Sequence, residues 1–193
     1  MATQQDARVA GEDWQEAAVQ RAKSNNADFG LLYRHYFPRI YNYCLRRVGD
    51  RDSAEDLCST VFTRTLSNLH TYKSGSFAAW IFSIAHNVVA NFLRDRRPQL
   101  SIEEESNLKV RQLADPGEDT LDRIVRVEEV DTVARLIARL PEDQRELLTL
   151  RIAGELSAKE IGAVLGKSEG AVRTALHRIV QQLRTAYQQG QAE

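Results

Sequence analysis

The chain has 193 residues, a formal net charge of −1, four prolines and two cysteines, which allows one medium domain or two small ones. Its wealth of Ala, Leu, Arg, Glu and Gln favours an all-α fold. Met1 to Ala10 is polar, with no apolar core behind a basic flank, so no secretory signal is expected there.

Taken in chain order, Trp14, Ala17, Ala18 and Arg21 open a helical pattern. Phe29, Leu32, Tyr33, Tyr36, Ile40, Cys44 and Val48 continue it at near-helical spacing. Pro38 falls inside this second run, where its missing donor either kinks the helix or marks a junction. Gly49, with Asp50 and Asp52, supplies a stop and a new start, and Ser53 to Leu69 repeats an apolar face of Leu57, Val61, Phe62, Leu66 and Leu69. Cys44 and Cys58 both fall on apolar positions without a partner at metal-ligand spacing. They read as core thiols of a reducing cytoplasm, with no metal and no cofactor expected.

Thr71 to Ser76, reading TYKSGS, is turn chemistry that feeds a long helix from Phe77 to about Arg97, ended by Pro98. Phe77 to Leu93 lacks charge, but it is shorter than the roughly 20 apolar residues a bilayer requires. A buried helix is expected, not a membrane span. Phe77, Ile81, Ile84, Ala85, Val88 and Phe92 form its core face, while Ser83, Asn87, Asn91 and Arg94 form one polar stripe. Asparagine is a mediocre helix former, so the two in this stripe are either amides placed to contact bases or groups bonded only to water. Tyr72 and Lys73 in the preceding turn could pair an aromatic platform for an unstacked base with a cation for the backbone. An aromatic at a loop edge serves equally as a lid on the core.

Acidic residues then crowd the stretch from Ile102 to Asp131: Glu103, Glu104, Glu105, Asp115, Glu118, Asp119, Asp122, Glu128, Glu129 and Asp131. Without them the flanking parts are mildly basic, so the near-zero total charge does not exclude a nucleic-acid partner. Gln99 to Thr120 has no sustained period and reads as a linker. From about Leu121 a helical period returns through Ile124, Val127, Val130, Val133, Ile137 and Leu140, and Pro141 is expected in the first turn of a further helix.

The most specific local pattern is LSAKEIGAVLGKSEGAVRTALHRIVQQLR, Leu156 to Arg184. Ser157 and Glu160 stand at capping-box spacing, Ile161, Val164 and Leu165 face inward, Gly166 stops the helix and Ser168 caps the next. Gly162 sits where two helices must cross closely. This is helix-turn-helix geometry. Opposite the apolar stripe of Val172, Leu176, Ile179 and Leu183, the second helix presents Arg173, Thr174, His177 and Arg178, with Lys167 and Ser168 placed to meet phosphate. Arg173 is suited to bidentate reading of guanine. A basic outward face that is merely solvated is the bland reading.

With these motifs in place, the chain from Trp14 to about Tyr187 resembles the extracytoplasmic-function group of sigma factors, the two-domain members of the sigma-70 family. ADFGLLYRHYFPRIYNYCLRRVGDRDSAEDLCSTVF and FAAWIFSIAHNVVANFLRDRR look like region 2. LPEDQRELLTLR with the helix-turn-helix looks like region 4. The resemblance implies two helical domains, residues 12–97 and 123–189, joined by an acidic linker, 98–122, that runs through polymerase channels near the RNA exit path.

It further implies a factor that directs promoter-specific initiation with core RNA polymerase, docking on the beta-prime clamp coiled coil and the beta flap. Asp52, Glu55, Asp56 and Ser59 would face the clamp, although Ser59 and Thr60 stand where the family motif usually has Gln-Glu. Tyr72 and Asn87 match positions lining the pocket for a flipped base of the minus-ten element, with Lys73, Ser76, Ser83, Asn91 and Arg94 around them. Arg173, Thr174, His177 and Arg178, with Lys167 and Ser168, match the reader of the minus-thirty-five duplex. Arg145 and Arg151 fall in the supporting region 4 core and backbone surface. Members of the group are commonly held by an anti-sigma factor, which makes one a candidate partner beside promoter DNA. The alternative is a helix-turn-helix regulator acting without polymerase. No constellation for catalysis is visible, since His35, His70, His86 and His177 are scattered, and no enzyme is expected.

Overall fold

A computed structural model describes residues 4–96 and 132–190, with side chains from Trp14 onward. The linker expected over 98–122, and the helical period through Ile124, Val127 and Val130, lie outside the described residues. Among these the chain is all-α, without strands. Its helices are α1 (Gln4–Ser24), α2 (Phe29–Val48), α3 (Arg51–Asn68), α4 (Phe77–Arg96), α5 (132–138), α6 (Glu142–Ile152), α7 (Ala158–Leu165) and α8 (Glu169–Gly190).

The punctuation follows local chemistry. Gly49 takes the left-handed conformation, φ 81°, and its N–H returns to the Leu45 carbonyl, ending α2. The Asp50 carboxylate then accepts from the Ser53 N–H at 2.8 Å, so α3 starts at Arg51, two residues before the expected start. Pro38 marks no junction, because α2 runs unbroken through it with Tyr36 and Ile40 buried on either side. Pro141 is the N-cap of α6, φ −52° and ψ 149°, not a residue of its first turn: its extended ψ turns the chain in before the helix begins.

Helices α1 to α4 pack around Leu32, Tyr36, Ile40, Tyr43, Phe77 and Ile81, while α5 to α8 pack around Leu147, Leu150, Leu156, Ile161, Val172 and Ile179. The expected core face of α4 is present, with Phe77, Ile81, Ala85 and Val88 buried and Ile84 and Phe92 packed at its edge. Phe82 and Val89 are also fully buried. Contacts of α4 with α7 and of α2 with α6 join the two helical groups into one continuous core. Cys44 and Cys58 are buried free thiols.

Candidate nucleic-acid and polymerase interface

The helix-turn-helix has the expected construction. Ser157 Oγ accepts from the Glu160 N–H while the Glu160 carboxylate accepts from the Ser157 N–H at 2.7 Å, a complete capping box. Gly166, φ 65°, closes α7 in the left-handed conformation, and Ser168 Oγ accepts from the Ala171 N–H at 3.2 Å to start α8. Gly162 is needed for close approach, tightest to the turn: a Cβ there would lie 2.5 Å from the Lys167 carbonyl oxygen and 3.5 Å from the backbone nitrogen of Glu169, the first residue of α8. With Val172 and Ile179 buried, Arg173, Thr174, His177 and Arg178 all face solvent, as do Lys167 and Ser168 at the amino end. Arg173 is tied to Glu169 one turn earlier, so a base contact would have to compete with that pair.

The α4 stripe is only partly open. Asn87, Asn91 and Arg94 are exposed, with Arg94 Nε 3.6 Å from Asp95. Ser83 is half-buried and donates to the Ala79 carbonyl at 2.8 Å. Lys73 is exposed, but Tyr72 is a lid on the core: its ring is 4% exposed and lies 5.3 Å from Phe77 and 5.5 Å from Trp80, centre to centre. Its hydroxyl donates to the Gly75 carbonyl, and its own carbonyl accepts from Lys23 Nζ. No open platform for a base exists at Tyr72 in this arrangement. Ser76 accepts from the Ala79 N–H and donates to Glu160 Oε1 at 2.6 Å, so the turn before α4 is tied to the cap of α7.

On the opposite side, Asp52, Glu55, Asp56 and Ser59 are exposed along one face of α3. Beside them a groove of about 700 Å³ runs between α2 and α3, floored by Tyr33, Phe37, Tyr41 and Phe62 and rimmed by Glu55 and Ser59. Tyr33 and Phe37 remain 41% and 38% exposed, so this aromatic surface is open to a partner.

Three residues without a sequence signal organise the junction between the helical groups. Glu146 of α6 accepts from Tyr43 Oη at 2.6 Å, pairs with Arg47 at 2.8 Å and meets His86 Nδ1 at 2.9 Å. Arg47 also reaches Glu142 at 2.6 Å, and Arg39 Nε donates to the Gly154 carbonyl at 3.0 Å. Burial works against the charge of Glu146, yet the His86 bond, the Arg47 cation and the Tyr43 hydroxyl together hold its pKa below the ordinary value. Arg47 likewise keeps its charge against burial, through Glu146, Tyr43 and Glu142. Desolvation and the nearby Glu146 carboxylate push the Tyr43 hydroxyl far up.

The family models for Sigma-70 region 2 and Sigma-70, region 4, match residues 32–99 and 131–183. The ECF RNA polymerase sigma factor ShbA of Streptomyces griseus is 36% identical over 183 residues, covering 90% of this chain and 95% of ShbA. This chain belongs to the ECF sigma factors of RNA polymerase. The ECF sigma factor BldN of Streptomyces coelicolor is also 36% identical, over 86% of this sigma factor, which spans 62% of BldN's length. The fold is shared with the sigma factor RpoE of Bartonella quintana, solved with the anti-sigma factor NepR: TM-score 0.62, 21% identity, covering 82% of this chain and 95% of that one. CnrH, solved with the cytosolic domain of CnrY, gives TM-score 0.61 at 22% identity, over 88% and 93% of the two chains. Family membership leaves the stand-alone regulator without support. No helix among the described residues of this sigma factor is long and apolar enough to cross a membrane.

Proposed function

We propose that this sigma factor acts in the cytoplasm as a non-catalytic subunit that gives core RNA polymerase its promoter choice through two unlike DNA readers. The observation that carries the reading is the outward face of α8: Arg173, Thr174, His177 and Arg178 are all exposed opposite buried Val172 and Ile179, on the second helix of a fully capped helix-turn-helix. That face, with Lys167 and Ser168 on phosphate, reads the minus-thirty-five duplex. Lys73 and Ser76, with Ser83, Asn87, Asn91 and Arg94 on α4, take the minus-ten strand once a base is extruded, and Tyr72 joins them only by leaving its packing against Phe77 and Trp80. Asp52, Glu55, Asp56 and Ser59 dock on the beta-prime clamp, and region 4 meets the beta flap. Residues 12–97 and 123–189 form the two working domains, with 98–122 between them. The chemistry of RNA synthesis belongs to the polymerase. An anti-sigma factor is proposed as a regulator because the RpoE structure is such a complex in name. Run-off transcription with core polymerase and a promoter library tests the reading: defined start sites appear only when this protein is added, and their absence overturns it.

A further inference from the structure

Arg173 does not stand free on the outward face of α8. Its Nη2 donates to Glu169 Oε1 at 2.5 Å, one turn nearer the amino end of the helix. Both side chains remain open to solvent, the arginine 72% and the glutamate 42% exposed, so the pair belongs to the surface that the proposed function lays against DNA. Helical side chains lean toward the amino end of their helix, which is where a recognition helix meets base edges. Gly170 and Ala171 are exposed beside the pair and add at most a methyl group, so little stands between the guanidinium and a base.

A carboxylate in this place is a cost if the face only seeks phosphate. Lys167, Arg173 and Arg178 gain affinity by neutralising phosphates, and an acid among them subtracts from that gain. Helix stabilisation, through the macrodipole and the i,i+4 pair, would account for an acid on the first turn of any helix. What sets Glu169 apart is that its partner is the arginine suited to reading a base.

A guanidinium carries five N–H donors in a rigid plane. Glu169 takes one hydrogen of Nη2. Whichever of the two it takes, the other still lies parallel to an N–H of Nε or Nη1, so competition for the arginine leaves a two-donor fork intact. Guanine O6 and N7 are the pair of acceptors that fit such a fork. A lone phosphate oxygen gains less, because the carboxylate has already met the arginine's charge. Holding the side chain in place also removes rotamer freedom that base reading would otherwise have to freeze.

Resting on the proposed function, we infer that Glu169 is a positioning residue: it buttresses Arg173 so that the arginine serves guanine in the upstream element and not the DNA backbone. Glu169 acts through Arg173 and reads no base itself.

The test is start-site mapping with core polymerase and the full-length factor on a library randomised in the upstream element. Arg173→Ala first locates the base pair that Arg173 reads. At that pair Glu169→Ala should lower guanine preference by about two- to fivefold, the scale of an exposed ion pair, with preference at the other pairs unchanged. Glu169→Gln keeps an acceptor for Nη2 without the charge and should fall between the two; it decides the matter if circular dichroism shows the alanine variant unfolded. A role in starting the helix alone would lower the urea midpoint and leave base preference where it was. Guanine preference unchanged in both Glu169 variants, or a loss spread over several base pairs, overturns the buttress, while the effect of Arg173→Ala leaves the proposed function standing. If Arg173→Ala changes no preference, the assignment of α8 as a reader fails and the buttress with it.

Discussion

Glu146 of α6 and Arg47 of α2 form a 2.8 Å ion pair across the junction of the two helical groups, with side chains only 9% and 6% exposed. Neither charge is placed at a DNA-reading surface, and neither would be worth burying alone. Their joint burial indicates that the arrangement of the two groups is itself a specified part of the fold.

The pair makes stability depend on acid. Glu146 has a lowered pKa in the folded state despite its burial, because the His86 hydrogen bond, the Arg47 cation and the Tyr43 hydroxyl favour its charge. Its contribution is complete above the ordinary carboxylate value of about 4.3 and is lost as pH falls through the lowered folded value. Urea unfolding between about pH 5 and pH 3 should show a steeper loss for the natural protein than for Glu146→Gln. Parallel curves would assign the acid sensitivity elsewhere.

Gly154 lies against Phe82 of α4 across the junction of the two groups. A Cβ there would lie 2.5 Å from the Leu150 carbonyl oxygen and 3.0 Å from Phe82 Cε1, so Gly154→Ala should cost about 1–3 kcal/mol in urea denaturation. Gly170, in α8, has nothing within 4 Å of such a Cβ, and Gly170→Ala should gain up to about 1 kcal/mol from helix propensity. Equal effects at the two positions would remove the packing explanation.

Ser157→Ala removes the hydroxyl that accepts from the Glu160 N–H and donates to its carboxylate at 2.6 Å. A cost of about 0.5–2 kcal/mol is expected from the cap alone. Because the Glu160 carboxylate also accepts from Ser76, the amides of the 72–76 turn should exchange faster in the variant, as hydrogen-exchange mass spectrometry can read.

Burial pushes the thiols of both Cys44 and Cys58 up to about 12. The thiolate is the reactive form, so at pH 8 iodoacetamide should leave both unmodified in the native protein and alkylate both in urea. Rapid native modification of either would show that α2 and α3 part readily.

What the sequence makes legible here is local. The capping box of Ser157 and Glu160, the Gly166 stop, the Ser168 cap and the outward face of α8 are written within a few residues of one another. The apolar period likewise finds Phe77, Ile81, Ala85 and Val88. Phe82 escapes that reading because it is buried against Gly154, and Glu146 because Tyr43 and His86, its partners, lie 103 and 60 residues away. Glu160 can be read as a cap, but its bond to Ser76 spans 84 residues and has no sequence signature. At Tyr72 two readings compete, platform and lid, and the ring's packing on Phe77 and Trp80 is that of a lid.

The division of labour between the readers is tested most directly by start-site mapping on a promoter library randomised in both elements, transcribed by core polymerase with the natural factor, Arg173→Ala or Asn87→Ala. Arg173→Ala should lose about 1–3 kcal/mol of base discrimination in the upstream element alone, and Asn87→Ala should relax preference in the downstream element alone. Unchanged preferences in both variants, or a shift in the opposite element, would contradict the account.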